Sequence, residues 1–173
     1  MKILAVQSRM GIGDTVIFLP FMKALFKKFN SPISILVKEN SKANQYLHQT
    51  KYIDKILTLE RDNKTNNRHG GFFGIFKLAN DLKKYKFDKI FIFNSSLRFN
   101  LVAKISGIPQ IYQYPLFAKN KQHIIEAPKK FLKKNLDLDI NEDPEVQIDS
   151  NLISNAAQKF QIDKNTTNIL LGI

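Results

Sequence analysis

The sequence contains no cysteine, no tryptophan and no long run of apolar residues. The absence of cysteine excludes disulfides and thiolate metal sites, and it is compatible with a reducing compartment. The longest uncharged apolar stretch, residues 16–22, is far shorter than the roughly 20 residues that a membrane-spanning helix requires. The apolar run at residues 3–6 is also too short for the core of a signal peptide. The sequence therefore predicts a soluble cytoplasmic protein.

Histidine is scarce as well, and the three His residues show no H-x-x-x-H spacing. The sequence therefore carries no metal signature, and we expect neither a metal nor a resident cofactor. What the chain does contain suits a globular fold, because 43% of its 173 residues are hydrophobic and 14 of these are Phe. This length and composition predict one domain with a substantial core.

Acidic residues are outnumbered by basic ones, with 15 Asp and Glu against 27 Lys and Arg and a net charge of +12. Residues 1–136 contain 25 basic and 8 acidic residues, whereas residues 137–173 contain 2 and 7. A basic body attracts anionic partners such as nucleic acid, phospholipid headgroups or phosphorylated sugars. The alternative is that most lysines only solvate helix faces, and we prefer it for residues 83–84 and 133–134.

Only four of the basic residues are arginines: Arg9, Arg61, Arg68 and Arg98. Each lies directly after a predicted strand or in the loop that follows it. In a parallel α/β sheet these positions share the carboxyl edge, where ligands bind. Guanidinium offers a planar fork for phosphate or carboxylate that lysine lacks. Chance placement stays open as the alternative, but the pattern favours an anion site at this edge.

The opening stretch combines a short strand, a glycine turn and a helix. Residues 3–6 form an apolar run typical of a strand buried on both faces. Gly11 and Gly13 then allow positive φ or the close approach of another group to the backbone. Asp14 follows at once, and apolar residues at helical spacing fill 16–29. The chain is thus expected to place Asp14 at a helix N-terminus.

Two interpretations of Asp14 are possible at this point. It is either a helix cap that complements the dipole, worth about 0.5–2 kcal/mol, or a carboxylate directed at a ligand beyond the strand end. A dinucleotide-binding fingerprint is weakly supported, because Val16 stands where the third glycine of G-x-G-x-x-G would be. Pro20 either kinks the helix or marks its true first turn.

Strand-like and helical segments alternate along the rest of the chain, which favours right-handed crossovers and a mainly parallel sheet. The predicted strands lie at residues 32–37, 55–59, 89–93, 111–114 and 168–171. The predicted helices lie at residues 40–49, 75–85, 97–106, 123–136 and 151–160, with an interruption at Pro128. Residues 61–74 are polar and glycine-rich, and a loop of this length is commonly functional.

Several segments resemble, in order and spacing, the N-terminal half of the ADP-heptose:lipopolysaccharide heptosyltransferases, glycosyltransferase family 9. The segments are KILAV, GIGDTVIFLPFMKAL, YIDKIL, FDKIFIFNSSLRFNLVAKISGIPQIYQY and HIIE. The resemblance implies a Rossmann-like, mainly parallel sheet with helices on both faces, which is half of a two-domain GT-B fold. Residues 1–160 would be the acceptor-binding domain, and residues 161–173 a linker and the truncated start of a C-terminal donor-binding domain.

The resemblance also implies roles for individual residues. Asp14 matches the catalytic base of the family. The residues expected to bind the acceptor are Arg9, Gly13, Arg61, Arg68, Ser95, Arg98 and His123. For His123, a structural hydrogen bond near the linker remains an equal alternative. Ser8 stands where many members of the family have a basic residue, and Phe93 and Asn94 replace the usual acidic residue near the end of the fourth strand, so acceptor contacts are expected to differ.

The implied function is inverting transfer of a sugar, heptose or a related one, from a nucleotide sugar to lipopolysaccharide core or a similar anionic, lipid-linked acceptor. The donor, ADP-heptose in the family, would be bound mainly by the C-terminal domain. The basic charge would also bring the domain to the anionic inner leaflet of the membrane, and no nucleic acid is expected as a partner. Two rival functions stay open: a non-enzymatic basic module that binds nucleic acid or acidic membranes, and a nucleotide-binding Rossmann enzyme of another class.

Overall fold

The computed structural model describes residues 1–9, 11–61, 67–116, 123–163 and 165. Within these residues, five short segments form one sheet in which every pairing is parallel. The strands are Ile3–Val6 (β1), Ile33–Lys38 (β2), Ile53–Leu59 (β3), Lys89–Ile92 (β4) and Gln110–Gln113 (β5). Their order in the sheet is β3-β2-β1-β4-β5, so β1 lies at the centre.

The central strands are apolar on both faces because helices cover both sides of the sheet. In β1, Ile3 and Ala5 belong to one hydrophobic cluster, and Leu4 and Val6 belong to a second cluster on the opposite face. The same alternation continues in β2 and β4, since successive side chains of a strand point to opposite faces. The predicted parallel sheet with helices on both faces is confirmed.

Seven α-helices lie within the described part of the chain. They are Ile12–Ile17 (α1), Leu19–Phe29 (α2), Ala43–Tyr46 (α3), Phe73–Lys83 (α4), Leu97–Ile105 (α5), Glu126–Leu136 (α6) and Ser150–Lys159 (α7). Helices α1, α2, α3 and α6 pack against the first cluster, and α4 and α5 pack against the second. None of these helices combines the length and the apolar character that a membrane crossing demands.

Two predictions about proline-containing helices needed the structure to settle them. The single helix predicted at 16–29 is two helices, because α1 ends at Ile17 and α2 begins at Leu19. Pro20 lies in the first turn of α2, where its missing N–H costs nothing, so it marks a true first turn. Pro128 likewise lies in the first turn of α6, and the interruption predicted there is wrong.

Several element bounds also differ from the prediction. The helix predicted at 40–49 is a short 3₁₀ turn, Glu39–Ser41, followed by α3. Helix α4 begins at Phe73, inside the loop predicted for residues 61–74. Residues 62–66 of that loop, and the strand predicted at 168–171, lie outside the described residues.

The acidic stretch after α6 returns to the basic body. Leu138, Ile140 and Val146 pack against the first hydrophobic cluster. Glu142 forms ion pairs with Lys27 and Lys23 of α2, the latter at 3.0 Å. The hydrogen bonds from these two lysines hold the pKa of Glu142 below its ordinary value. The acidic stretch therefore offsets positive charge on the α2 side of the domain.

Chain direction creates a topological switch point at the carboxyl edge between β1 and β4. The chain leaves β1 toward α1 on the first face and leaves β4 toward α5 on the opposite face. The β1–α1 turn and the β4–α5 turn therefore run toward opposite faces of the sheet, although β1 and β4 are neighbours. In parallel α/β sheets ligands bind at such a topological switch point. We call this place the β1–β4 crevice and define it by residues 8–14 and 94–98.

Candidate functional site

The β1–α1 turn forms one wall of the β1–β4 crevice and depends on one glycine and one glutamine. Gly11 has φ 106° and ψ 160°, a conformation that only glycine adopts without strain. Gln7 is buried, and its Nε2 donates to the carbonyl oxygen of Asp14 at 3.2 Å. Its Oε1 accepts a hydrogen bond from the Arg9 N–H at 2.9 Å. One buried amide thus fixes both ends of the turn.

Gln7 was missed by sequence reasoning, although the sequence holds a signal for it. It directly follows a strand whose four residues are all buried. A polar side chain that is itself 97% buried must find hydrogen-bonding partners, and here the turn supplies them. A polar residue at the buried end of a strand therefore indicates a turn whose backbone is hydrogen-bonded by a buried side chain.

Asp14 lies in the first turn of α1, as predicted, but it does not cap the helix. The cap position is Gly11, and no side chain makes a capping hydrogen bond there. The carboxylate is turned back over the turn, since its Oδ2 lies 4.0 Å from the position that a Cβ on Gly11 would occupy. Among the described residues, no hydrogen bond or ion pair engages this half-buried carboxylate.

Gly13 makes the same wall accessible to a ligand. It is exposed, and a Cβ placed on it would meet no atom within 4 Å. Unlike Gly11, it has no unusual φ that would require glycine. A ligand can therefore approach the backbone closely beside Asp14. Whether Gly13 contacts an acceptor remains a prediction.

The β4–α5 turn forms the opposite wall and is held by a polar network. Asn94 Oδ1 accepts from the Ser96 N–H at 2.6 Å, and Ser96 Oγ caps α5 by accepting from the Arg98 N–H at 3.3 Å. Gln113 Nε2 donates to the carbonyls of Asn94 and Ser96 at 2.9 and 2.8 Å. Ser95 is half-buried within this turn. The wall is thus ordered by side-chain hydrogen bonds.

A direct bond joins the two walls. Asn94 Nδ2 donates to Ser8 Oγ at 2.7 Å. A hydrogen bond between two uncharged side chains therefore links the β1–α1 turn to the β4–α5 turn.

Arg98 lies beside the crevice, but its guanidinium is held by the chain itself. Its Nη1 donates to the Gly71 carbonyl at 2.7 Å, and its Nη2 donates to the His69 carbonyl. These contacts fix the segment before α4 against the start of α5. The predicted acceptor contact of Arg98 stays a prediction, and the observed bonds assign it a structural role as well.

Arg68 lies further along the edge, beside β3 and α4. Its Nη2 pairs with Asp81 Oδ1 at 2.7 Å. The buried His69 donates from Nε2 to Asp81 Oδ2 at 3.1 Å, because its Nδ1 accepts from the Glu60 N–H. Burial raises the pKa of Asp81, but the hydrogen bonds from His69 and Arg68 and the charge of Arg68 outweigh it and hold that pKa below its ordinary value.

Arg9, Arg61 and His123 complete the set of predicted residues. Arg9 is exposed shortly after β1, and its charge partly opposes the burial that raises the pKa of Tyr114. Arg61 is half-buried shortly after β3. His123 is exposed just before α6, where its Nδ1 accepts from the Ile125 N–H at 3.4 Å. Only Arg9, Gly13, Asp14, Ser95 and Arg98 flank the β1–β4 crevice, and the acceptor contacts of the whole set stay a prediction.

No protein-family model and no curated protein matches the sequence significantly. Solved structures do match the fold. The glycosyl transferase family 9 structure from Veillonella parvula has a TM-score of 0.70 and 16% identity, over 95% of this chain and 51% of that one. The ADP-heptose LPS heptosyltransferase II of Escherichia coli has a TM-score of 0.61 and 15% identity, over 95% and 52%. Escherichia coli heptosyltransferase WaaC with ADP-2-deoxy-2-fluoro heptose has a TM-score of 0.55 and 12% identity, over 82% and 50%.

The chain thus spans about half the length of the structures it matches. At these identities the likeness shows the fold: the parallel α/β domain has the architecture of one half of these solved structures. The site residues of this chain have to be argued from their own geometry.

Proposed function

We propose that this chain is the acceptor-binding half of an inverting GT-B glycosyltransferase. The observation that carries the proposal is the carboxylate of Asp14. It lies at the mouth of the β1–β4 crevice, beside the open backbone of Gly13, and no described residue engages it. The fold shared with glycosyltransferase structures supports the same assignment.

In this reaction Asp14 acts as the general base. An acceptor hydroxyl enters the β1–β4 crevice, and its oxygen attacks the anomeric carbon of the donor sugar from the side opposite the leaving nucleotide diphosphate. The hydroxyl proton passes to the Asp14 carboxylate as the new bond forms. An ionised aspartate is a weak base, so the transfer occurs when the attacking hydroxyl has become acidic.

Arg9 would be the main residue that binds the anionic groups of the acceptor, because it is exposed and lies in the wall formed by residues 8–14. Arg61, Arg68 and Arg98 extend positive charge along the same edge, and Ser95 and His123 would add hydrogen bonds to the saccharide. An anionic, lipid-linked saccharide such as lipopolysaccharide core fits this charge distribution. The sugar would come from a nucleotide donor such as ADP-heptose, by analogy with the Escherichia coli structures.

The proposal assigns residues 1–160 to acceptor binding and residues 161–173 to the passage into a donor-binding domain, and the whole transfer requires both domains. An acceptor anchored in lipid places the reaction at the inner face of the cytoplasmic membrane, with the protein bound peripherally. The basic composition of the chain favours that location.

A chimera tests the role of Asp14. We would join this chain to the second half of the Escherichia coli ADP-heptose LPS heptosyltransferase II and measure sugar transfer from ADP-heptose to a lipopolysaccharide core acceptor. Asp14→Asn should lower turnover by about 100-fold or more, because it removes the base and keeps the shape. Glu39→Gln is the matched control, since Glu39 also lies in the first turn of a short helix that follows a strand of this sheet.

Equal turnover by the wild-type chimera and the Asp14→Asn chimera would show that the assignment of the base is wrong. The non-enzymatic alternative makes a different prediction for the 173-residue chain. Its binding to nucleic acid would weaken by about 0.7–0.9 log units per phosphate contact for each tenfold rise in salt, and Asp14→Asn would have no effect on it.

A further inference from the structure

Three neighbouring phenylalanines at the start of α4 lie in solvent. Phe72, Phe73 and Phe76 are 68%, 77% and 48% exposed. Phe72 contacts both of the others edge to face, with ring centroids 6.0 and 5.6 Å apart. Single exposed apolar residues are common, but a packed group of aromatic rings in water marks an interaction surface.

Helix α5 adds aliphatic side chains to this group. The Arg98 side chain reaches the carbonyls of His69 and Gly71, so it marks the side of α5 that faces the start of α4. Leu101 and Ile105 lie three and seven positions later, which places them on the same side of the helix. Both are exposed, as is Leu97 at the start of the helix.

We define the α4–α5 apolar surface by these six exposed side chains, which are Phe72, Phe73, Phe76, Leu97, Leu101 and Ile105. The lysines of the same two helices are exposed around it: Lys77, Lys83 and Lys104. Asp81 is the one acidic residue in α4 or α5, and it is engaged by Arg68 and His69 on the β3 side of α4. The surface is therefore apolar with a cationic border.

We propose that the α4–α5 apolar surface docks on a bilayer that contains anionic phospholipid. Aromatic and aliphatic side chains insert at the boundary between headgroups and acyl chains, and lysines attract the anionic headgroups. A protein partner would require acidic groups against the same lysines, whereas an anionic bilayer satisfies both the apolar and the cationic components at once.

The surface is also continuous with the β1–β4 crevice. Arg98 belongs to the crevice wall and holds residues 69–71, which lead directly into Phe72 and Phe73. Docking therefore brings the crevice close to the lipid, where a lipid-linked acceptor is found. This orientation rests on the proposed function, but the binding itself does not, and it is measured without any sugar transfer.

The test uses the 173-residue chain and sedimentation with vesicles. Vesicles of phosphatidylglycerol and phosphatidylcholine in equal amounts should bind the wild type, and pure phosphatidylcholine should bind it about tenfold less. The double variant Phe72→Ser, Phe73→Ser should bind the mixed vesicles about tenfold or more weakly, because two apolar side chains are lost from the contact. Phe160→Ser is the matched control, since Phe160 is 67% exposed at the end of α7.

Charge is tested with a second pair of variants. Lys77→Gln with Lys104→Gln should weaken binding to mixed vesicles by about 25-fold, since each removed cation costs about fivefold. Lys129→Gln with Lys134→Gln on α6 removes the same charge elsewhere and should have a smaller effect. Equal loss in the two double variants would show that net charge alone drives binding, and this would overturn the proposal.

A tryptophan reporter locates the contact independently, because the chain has no tryptophan of its own. Phe73→Trp should show a blue-shifted emission with mixed vesicles, and Phe160→Trp should not. A shift at Phe160→Trp alone, or undiminished binding by the Phe72, Phe73 variant, would refute the proposal. Wild-type dimers that this double variant abolishes would instead assign the surface to a second copy of the chain.

Discussion

The two glycines of the β1–α1 turn should respond in opposite ways to the same substitution. Gly11 has φ 106° and ψ 160°, where an L side chain is strained, so Gly11→Ala should lower the free energy of unfolding by about 1–3 kcal/mol. Steric contact adds little, because a Cβ there would lie 4.0 Å from Asp14 Oδ2, an ordinary distance. The expected loss of stability in Gly11→Ala therefore comes from backbone strain and not from steric contact.

Gly13 should tolerate a side chain, in contrast to Gly11. It lies inside α1 with no unusual φ, and a Cβ on it would meet no atom within 4 Å. Gly13→Ala should therefore raise the free energy of unfolding by about 0.5–1 kcal/mol, since alanine favours the helix. The same methyl group would obstruct a ligand that approaches the backbone beside Asp14, so stability and binding should change in opposite directions.

Urea unfolding followed by far-UV circular dichroism measures both effects. The comparison holds if the slope of the free energy against urea is the same in the two variants and the wild type. Equal destabilisation by Gly11→Ala and Gly13→Ala would refute the reasoning, because it would show that packing and not φ decides the cost. A neutral Gly11→Ala would contradict the assigned turn.

Three further substitutions probe how the edge is held. Gln7→Leu should destabilise the domain by about 1–3 kcal/mol in urea unfolding, because two backbone groups of the turn lose their buried partner. The pKa of Asp81 is lower in the folded state, so the carboxylate contributes stability above about pH 4 that is lost as the pH falls through the folded-state pKa. In Asp81→Asn the free energy of unfolding should therefore decrease less steeply as the pH is lowered below about 4. Arg98→Lys removes the planar guanidinium that donates to two carbonyls at once. Because these bonds hold the segment before α4, amide hydrogen exchange at residues 69–74 should become faster.

Much of the sheet could be predicted from the sequence, because its central strands are buried on both faces and therefore appear as continuous apolar runs. The strands β1 and β4 illustrate this, with every residue buried in β1 and three of the four in β4. The alternation with helices predicted the parallel pairing, whereas the order of the strands came from the structure. The sequence left the break between α1 and α2 as one of two alternatives at Pro20, since apolar residues continue through Phe18, which is itself buried.

The site was less predictable than the sheet because its contacts are distant in sequence. Arg98 was expected at the carboxyl edge, and it lies there. That its guanidinium bonds to carbonyls 27 and 29 positions earlier depends on the packing of α4 against α5, which no local pattern reveals. The same holds for Arg68, whose partner Asp81 lies on the next helix.

The exposed aromatic residues show that an apolar residue in a helix need not belong to the core. Phe76 is as apolar as Ile75 and Leu78, yet α4 buries those two residues and leaves Phe76 in solvent. Hydrophobic periodicity cannot distinguish a residue that packs inside the domain from one that serves an external surface. Only the position of α5 beside α4 decides which face is covered.

Binding of an anionic saccharide at the β1–β4 crevice is the central claim, and nuclear magnetic resonance of the isotope-labelled 173-residue chain tests it most directly. Titration with a phosphorylated lipopolysaccharide-core saccharide should shift amide signals of residues 8–14 and 94–98. Asp14→Asn should preserve these shifts, whereas Gly13→Ala should weaken them. Shifts confined to Arg68 and α4, or shifts that Gly13→Ala leaves unchanged, would contradict the account.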